Sequence, residues 1–255
     1  LIAVTTHNFL SGGLSLEADL LFPEKAEGVS PSLIVAHGFP VGKTGGANSP
    51  DTLPELAERV SQEMGWVVMV PYLRGMGDSE GFFSLEGWCE DLKAAVTYLS
   101  TFEEVGPIWL AGFGTGGALS LTAATDDQRI KGVAALATPA DFNDWAENPR
   151  RLLLHARDAG LIDDSSSLDD FNNWKSSLSE ISAEKSAERF SPNPLLVVHG
   201  TDDEMVPPLD ARAIAGAHGS CDLRMISGAG HHLRHDPRAI AILLGWLDRQ
   251  YLSSE

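Results

Sequence analysis

Residues 110–117 read LAGFGTGG, and this octapeptide limits the fold more than any other stretch of the chain. An apolar run, PIWLAGF (Pro107 to Phe113), leads into it, and a helix-like run, Gly116 to Ala124, leads out. A change from strand period to helix period across a few glycines marks a strand, a sharp turn and a helix start. Two chemistries use such a turn. One cradles a dinucleotide pyrophosphate at the helix N-terminus. The other lifts a nucleophile, usually serine, onto a strained apex. Gly114 stands where that serine would be.

The remaining sequence supplies the frame. Candidate strands are Leu14 to Phe22, Ser32 to Gly38, Trp66 to Tyr72, Pro107 to Phe113, Gly132 to Thr138, Pro194 to Gly200 and Asp222 to Gly228. From the second onward they are mostly unbroken apolar runs, as in a parallel sheet covered on both faces. Helical patterns lie between them: Thr52 to Glu63, a run capped by Ser84 with a Trp88, Leu92, Ala95, Val96 and Leu99 stripe, Gly116 to Ala124, and Pro237 to Tyr251. This alternation predicts an α/β fold with a doubly wound, mostly parallel sheet. Asp141 to Pro194 separates two strands by more than a crossover needs, with helical material (DFNDWAENPRRLLLHARDAG, then LDDFNNWKSSLSEIS) and the polar linker DDSSS. It is read as a helical cap, residues 141–194, on a core of residues 1–140 and 195–255.

Composition narrows the function classes. A length of 255 residues fits one large α/β domain or two small ones. The formal net charge of −18 would repel a polyanion, which argues against a nucleic-acid partner. No apolar run approaches the roughly 18–20 residues of a membrane span, and LIAVTTHNFL has no signal-peptide pattern. Cys89 and Cys221 form no metal-ligand spacing and read as reduced residues, which makes the cytosol the expected compartment.

The glycine turn can then be assigned. Gly112, Gly114 and Gly117 match G-x-G-x-x-G, but after several strands instead of the first, and the next strand ends in Thr138 where a ribose-binding acid belongs. Gly42-Lys43-Thr44 imitates a phosphate loop, but Gly38 is one residue too close. A nucleophile elbow needs small residues two before and two after its apex, and Gly112 and Gly116 are there. The amides of Phe39, after the strand ending in HGFP, and of Thr115 are the expected oxyanion donors. Asp203 in HGTDDEMVP is the expected orienting acid, with Asp202 and Asp141 as alternatives. His231 in GAGH is the expected base, with His232 and His235 as rivals. The HHLRHD cluster lacks the glutamate that H-E-x-x-H would need, so no metal is expected.

Elbow, acid and histidine occur in one characteristic chain order. With HGFP, PYLRGMGDSEG, GFGTGG, HGTDDEMVP and GAGH, the chain resembles the α/β-hydrolase superfamily over nearly its whole length. The run GFFSLEGWCEDLKAAVTYL is similar to bacterial serine aminopeptidase-like and esterase-like members. That resemblance implies an eight-stranded, mostly parallel sheet, a cap, hydrolysis of ester-type bonds and no cofactor. The departure is Gly114. The expected function is hydrolysis of a small ester, lactone or thioester, with His231 and Asp203 activating water. The alternatives are a non-catalytic binding or sensing protein, and an engineered variant of a serine esterase. The expected partner is a small acyl substrate, contacted in the cap by Trp145, Arg150 and His155, with Arg151, Leu152 and Trp174 as further candidates.

Overall fold

The computed structural model describes residues 4–24, 28–42, 50–162 and 171–252. The chain opens with a hairpin, β1 (Thr5–Ser11) and β2 (Leu14–Leu21). Its two-residue turn, Gly12-Gly13, has φ of 57° and 89°, a left-handed pair that glycine adopts without strain. There follow β3 (Ser30–Ala36), α1 (Pro54–Met64), β4 (Val67–Pro71), α2 (Leu85–Leu99), β5 (Val105–Phe113), α3 (Thr115–Ala124) and β6 (Ile130–Leu136). Four helices come next: α4 (Asn143–Glu147), α5 (Pro149–Asp158), α6 (Phe171–Ser177) and α7 (Ala183–Phe190). The chain closes with β7 (Leu195–Gly200), α8 (Pro208–His218), β8 (Asp222–Ile226) and α9 (Pro237–Leu252).

The strands form one eight-stranded sheet in the order β1-β2-β4-β3-β5-β6-β7-β8. The β1–β2 and β2–β4 pairs are antiparallel, and every pair from β3–β4 through β7–β8 is parallel. The expected doubly wound α/β fold is therefore present. Alternation along β3 shows why its strands read as continuous apolar runs. Leu33 and Val35 pack with α1 and α9, whereas Ile34 and Ala36 pack with α2 and α3 on the other face. Ser84 caps α2, its hydroxyl accepting the Gly87 N–H at 3.0 Å, and the whole predicted stripe from Trp88 to Leu99 is buried.

Several elements depart from the sequence reading. Strand β1 was not expected; it is an edge strand with Thr5, Thr6 and Asn8 exposed or nearly so, and it lacks an apolar run. Helices α7 and α8 were also not expected. Small residues (Ala183, Ser186, Ala187) fill most of the buried face of α7, and α8 buries only Ala211, Ile214 and His218, so both stripes are thin. The helical run over 141–160 is two helices, because Pro149 lacks an N–H and starts α5 after Asn148. Of the run over 168–182, α6 forms residues 171–177, and the DDSSS linker lies outside the described residues, as do Lys43 and Thr44. Helix α7 packs with α3 and α8. Among the described residues, no helix is long and apolar enough to cross a membrane.

Topology selects where a site can form. After β3 the chain adds β4 on one side and then β5 on the other, so strand order reverses between β3 and β5. Open α/β sheets bind ligands outside the carboxyl ends of the strands at such a point.

Candidate active site

Register brings the two glycine-containing loops together. Ala36 of β3 pairs with Gly112 of β5, so His37-Gly38 and Phe113-Gly114 leave the sheet side by side. Gly114 has φ 54° and ψ −122°, a region that L-residues seldom enter. Its N–H donates to Leu136 O at 2.8 Å, and its carbonyl accepts from Gly117 N at 3.0 Å. The demand for small residues at 112 and 116 has a direct cause. A Cβ on Gly112 would overlap the Gly116 carbonyl, and one on Gly116 would overlap the carbonyls of Ala36 and His37.

The acid and the histidine meet across the ends of the last two strands. Asp203 follows β7 and is buried. Its Oδ1 accepts N–H groups of Met205 and Val206, both at 2.9 Å. Its Oδ2 accepts from His231 Nδ1 at 2.9 Å and lies 3.3 Å from His199 Nε2. Burial by itself would raise the pKa of this carboxyl; the hydrogen bonds from His199, His231 and Val206 outweigh it and hold the group well below the usual carboxylate range. The rival acids make other bonds, and Asp141 lines the same cavity as His231. Asp202 is exposed and accepts the Thr201 hydroxyl, and Asp141 is exposed and accepts the Asn143 N–H. His232 and His235 are exposed.

The loop after β3 is fastened from beneath. His37 is buried, and its Nδ1–H donates to Gly38 O at 2.9 Å while its Nε2 accepts from Leu73 N at 3.3 Å. These two bonds require the neutral ring with its proton on Nδ1. The ring stands edge-on to Trp88, whose indole N–H donates to Arg74 O. Arg74 in turn grips the buried Asp91 of α2 through two nitrogens. The sequence reading missed this support. Its signal was an aspartate beside Trp88 and Leu92 on the apolar stripe of α2, where an unpaired charge would be costly.

Burial lowers the pKa of His37 from 6.5 to about 4. An unfolded chain takes up this proton near pH 6.5, and the folded chain only near 4. The neutral ring's contribution is therefore complete above pH 6.5 and is lost as pH falls towards 4, to a total of roughly 3 kcal/mol. Urea unfolding at pH 7 and pH 4.5 is expected to show this loss in the natural sequence and much less of it in His37→Gln. Equal pH dependence in the two proteins would exclude His37 as its source.

Gly114, Thr115, Phe39 and His231 line one cavity of about 630 Å³. From the helices after β6, Trp145, Leu152 and His155 also line it, and Trp145 meets Phe39 edge-to-face at 5.2 Å. Arg150, expected at the pocket, does not line it, and neither does Arg151; both are exposed in the first turn of α5. Trp174 is buried in the core and does not line it. The cavity also holds a residue that the sequence reading missed, Asp210 of α8. Its Oδ2 accepts the Ala140 N–H at 3.0 Å, and burial, with Asp141 and Asp144 nearby, raises its pKa. Among the described residues, no three His, Cys, Asp or Glu side chains gather as a metal site would need.

Residues 33–242 match the model of a family described as "Alpha/beta hydrolase family". No curated protein matches the chain. Among solved structures it is similar to Est1E from Butyrivibrio proteoclasticus, at 23% identity and TM-score 0.74 over 97% of this chain and 99% of that one. The Pyrococcus furiosus esterase Pf2001 is similar at 16% identity and TM-score 0.71, over 97% and 90% of the two chains. A proline iminopeptidase of Mycobacterium smegmatis is similar at 17% identity and TM-score 0.70, over 98% and 100%.

Proposed function

Because the chain belongs to the alpha/beta hydrolase family, we propose that it hydrolyses a small ester, lactone or thioester with a His231–Asp203 dyad that activates water. The observation that carries this reading is the 2.9 Å contact of His231 Nδ1 with Asp203 Oδ2, made by a histidine that lines the same cavity as Gly114. Family members ordinarily attack with an elbow serine. Gly114 has no side chain to acylate, so the attacking oxygen must come from elsewhere.

In the proposed step, His231 Nε2 takes a proton from water as its oxygen bonds to the acyl carbon. The carbonyl electrons move onto oxygen, which faces the amides of Phe39 and Thr115. Collapse of the tetrahedral species breaks the bond to the leaving oxygen or sulfur, and His231 returns the proton to it. The products are a carboxylic acid and an alcohol or thiol. Asp203 holds the Nδ1–H tautomer and stabilises the imidazolium. In this reading the cap is the segment 141–194, which carries helices α4 to α7, and Trp145 and His155 contact the substrate.

His231→Ala is expected to slow hydrolysis of p-nitrophenyl butyrate by about 10²-fold, at the lower end for loss of a general base. Equal rates in the two proteins would remove His231 from the chemistry. The bare elbow also favours a second reading, a binding protein. No turnover above buffer, together with a rise in melting temperature on adding an acyl ligand, would support that reading instead.

A further inference from the structure

His199 is the second-last residue of β7, a strand buried along its whole length, and its ring is fully buried. An aliphatic side chain is the simplest occupant of such a position, as Val197 and Val198 beside it illustrate. The ring instead faces two acceptors. Nε2 lies 3.0 Å from Val206 O and 3.3 Å from Asp203 Oδ2. Nδ1 is buried with no hydrogen-bond partner among the described residues. A proton on Nδ1 would be stranded, and one on Nε2 has two takers, so the neutral ring carries its hydrogen on Nε2.

With that hydrogen placed, both oxygens of Asp203 face donors. Oδ1 takes two backbone amides, and Oδ2 takes the His231 N–H and lies 3.3 Å from His199 Nε2. Val206 takes part twice, donating its N–H to Oδ1 and accepting from His199 at its carbonyl. The turn 203–206 is thereby closed on itself, and its Met205 and Val206 are walls of the cavity.

We propose that His199 is a positioning residue: its single Nε2–H bridges Val206 O and Asp203 Oδ2, turning the carboxylate toward His231 and setting the adjoining cavity wall. The proposal rests on the dyad reading above for its effect on rate, but its geometry stands apart from catalysis. The second donor also makes Oδ2 a poorer base. When His231 holds the water proton at Nε2, its Nδ1 proton then stays on the ring instead of passing to Asp203, and the Nε2 proton goes to the leaving group.

The test compares His199→Phe, which keeps a flat buried ring and removes the donor, with His199→Gln, whose amide N–H can replace Nε2–H. His199→Phe is expected to lower kcat on p-nitrophenyl butyrate about tenfold with KM within twofold, and to move or abolish the low-field proton resonance of His231 Nδ1–H. His199→Gln is expected to recover both to within about threefold of the natural rate and close to the natural resonance. An unchanged resonance and kcat in folded His199→Phe would overturn the proposal, and so would a folded His199→Gln no better than His199→Phe. Nitrogen-15 spectra of histidine-labelled natural protein decide the point even where a variant does not fold: a His199 Nε2 without a hydrogen overturns it. A natural protein with no turnover but an intact low-field resonance that responds to His199→Phe would defeat the catalytic reading and leave the positioning role standing.

Discussion

Gly114→Ser is expected to make the protein label with a fluorophosphonate and to raise p-nitrophenyl butyrate turnover by about 10³-fold or more. The backbone at 114 already has φ 54° and ψ −122°, and holding it there depends on Gly112, Gly116 and the bond from Gly114 N to Leu136 O, none of which a hydroxymethyl group removes. His231 lines the same cavity, with its Nδ1 on Asp203, and in the dyad reading its Nε2 takes the serine proton. Loss of the serine in a complete triad costs about 10⁶-fold. A chain that uses water recovers part of that, so the gain on restoring the hydroxyl is smaller. A non-glycine residue in this conformation costs about 1–3 kcal/mol, and the variant is expected to melt a few degrees lower. A folded Gly114→Ser protein that neither labels nor speeds up would show that His231 and the elbow are misaligned, and would remove the basis for the dyad.

Gly112→Ala is expected to be the most damaging single methyl addition at the site, costing more than about 4 kcal/mol. At roughly 2–4 °C per kcal/mol for a chain of this size, the melting temperature should fall by about 10 °C or more. The added Cβ would meet backbone atoms of Gly116 and Gly117, which have no rotamer with which to yield. Relief requires α3 to move off β5, and α3 also packs on β6 and α7. Gly216→Ala is the informative contrast. Gly216 lies exposed inside α8 with nothing within 4 Å of its would-be Cβ, and the substitution should stabilise by about 0.5–1 kcal/mol. Differential scanning calorimetry of the two variants checks both signs. A Gly112→Ala protein melting within a few degrees of the natural one would mean that the turn is looser than the backbone contacts imply.

Much of the fold was legible because its signals are local. Ser32 to Gly38 shows an unbroken apolar run, and the observed β3 is buried along its length. Ser84 and the stripe that follows it announce α2 within about fifteen residues of sequence. The elements that escaped have weak local signals for identifiable reasons. β1 is held at the sheet edge by its pairing to β2, with few buried side chains of its own. Helix α8 buries only Ala211, Ile214 and His218, too small a stripe to stand out from its charged neighbours.

The site divides in the same way. The sequence alone established the glycine spacing around 114 and the order of elbow, acid and histidine, because a tight turn dictates residue size at fixed offsets and chain order needs no coordinates. It left open Asp202, Asp203 and Asp141, and His231, His232 and His235. The tertiary structure decided that Asp203 faces His231, that Arg150 points to solvent while Trp145 and His155 line the cavity, and that His37, His199 and the Arg74–Asp91 pair hold the loops in place. Strands and helices have a period that assigns each side chain a direction. Loops have none, and the parallel register of β3 with β5 and of β7 with β8 determines which loop residues meet.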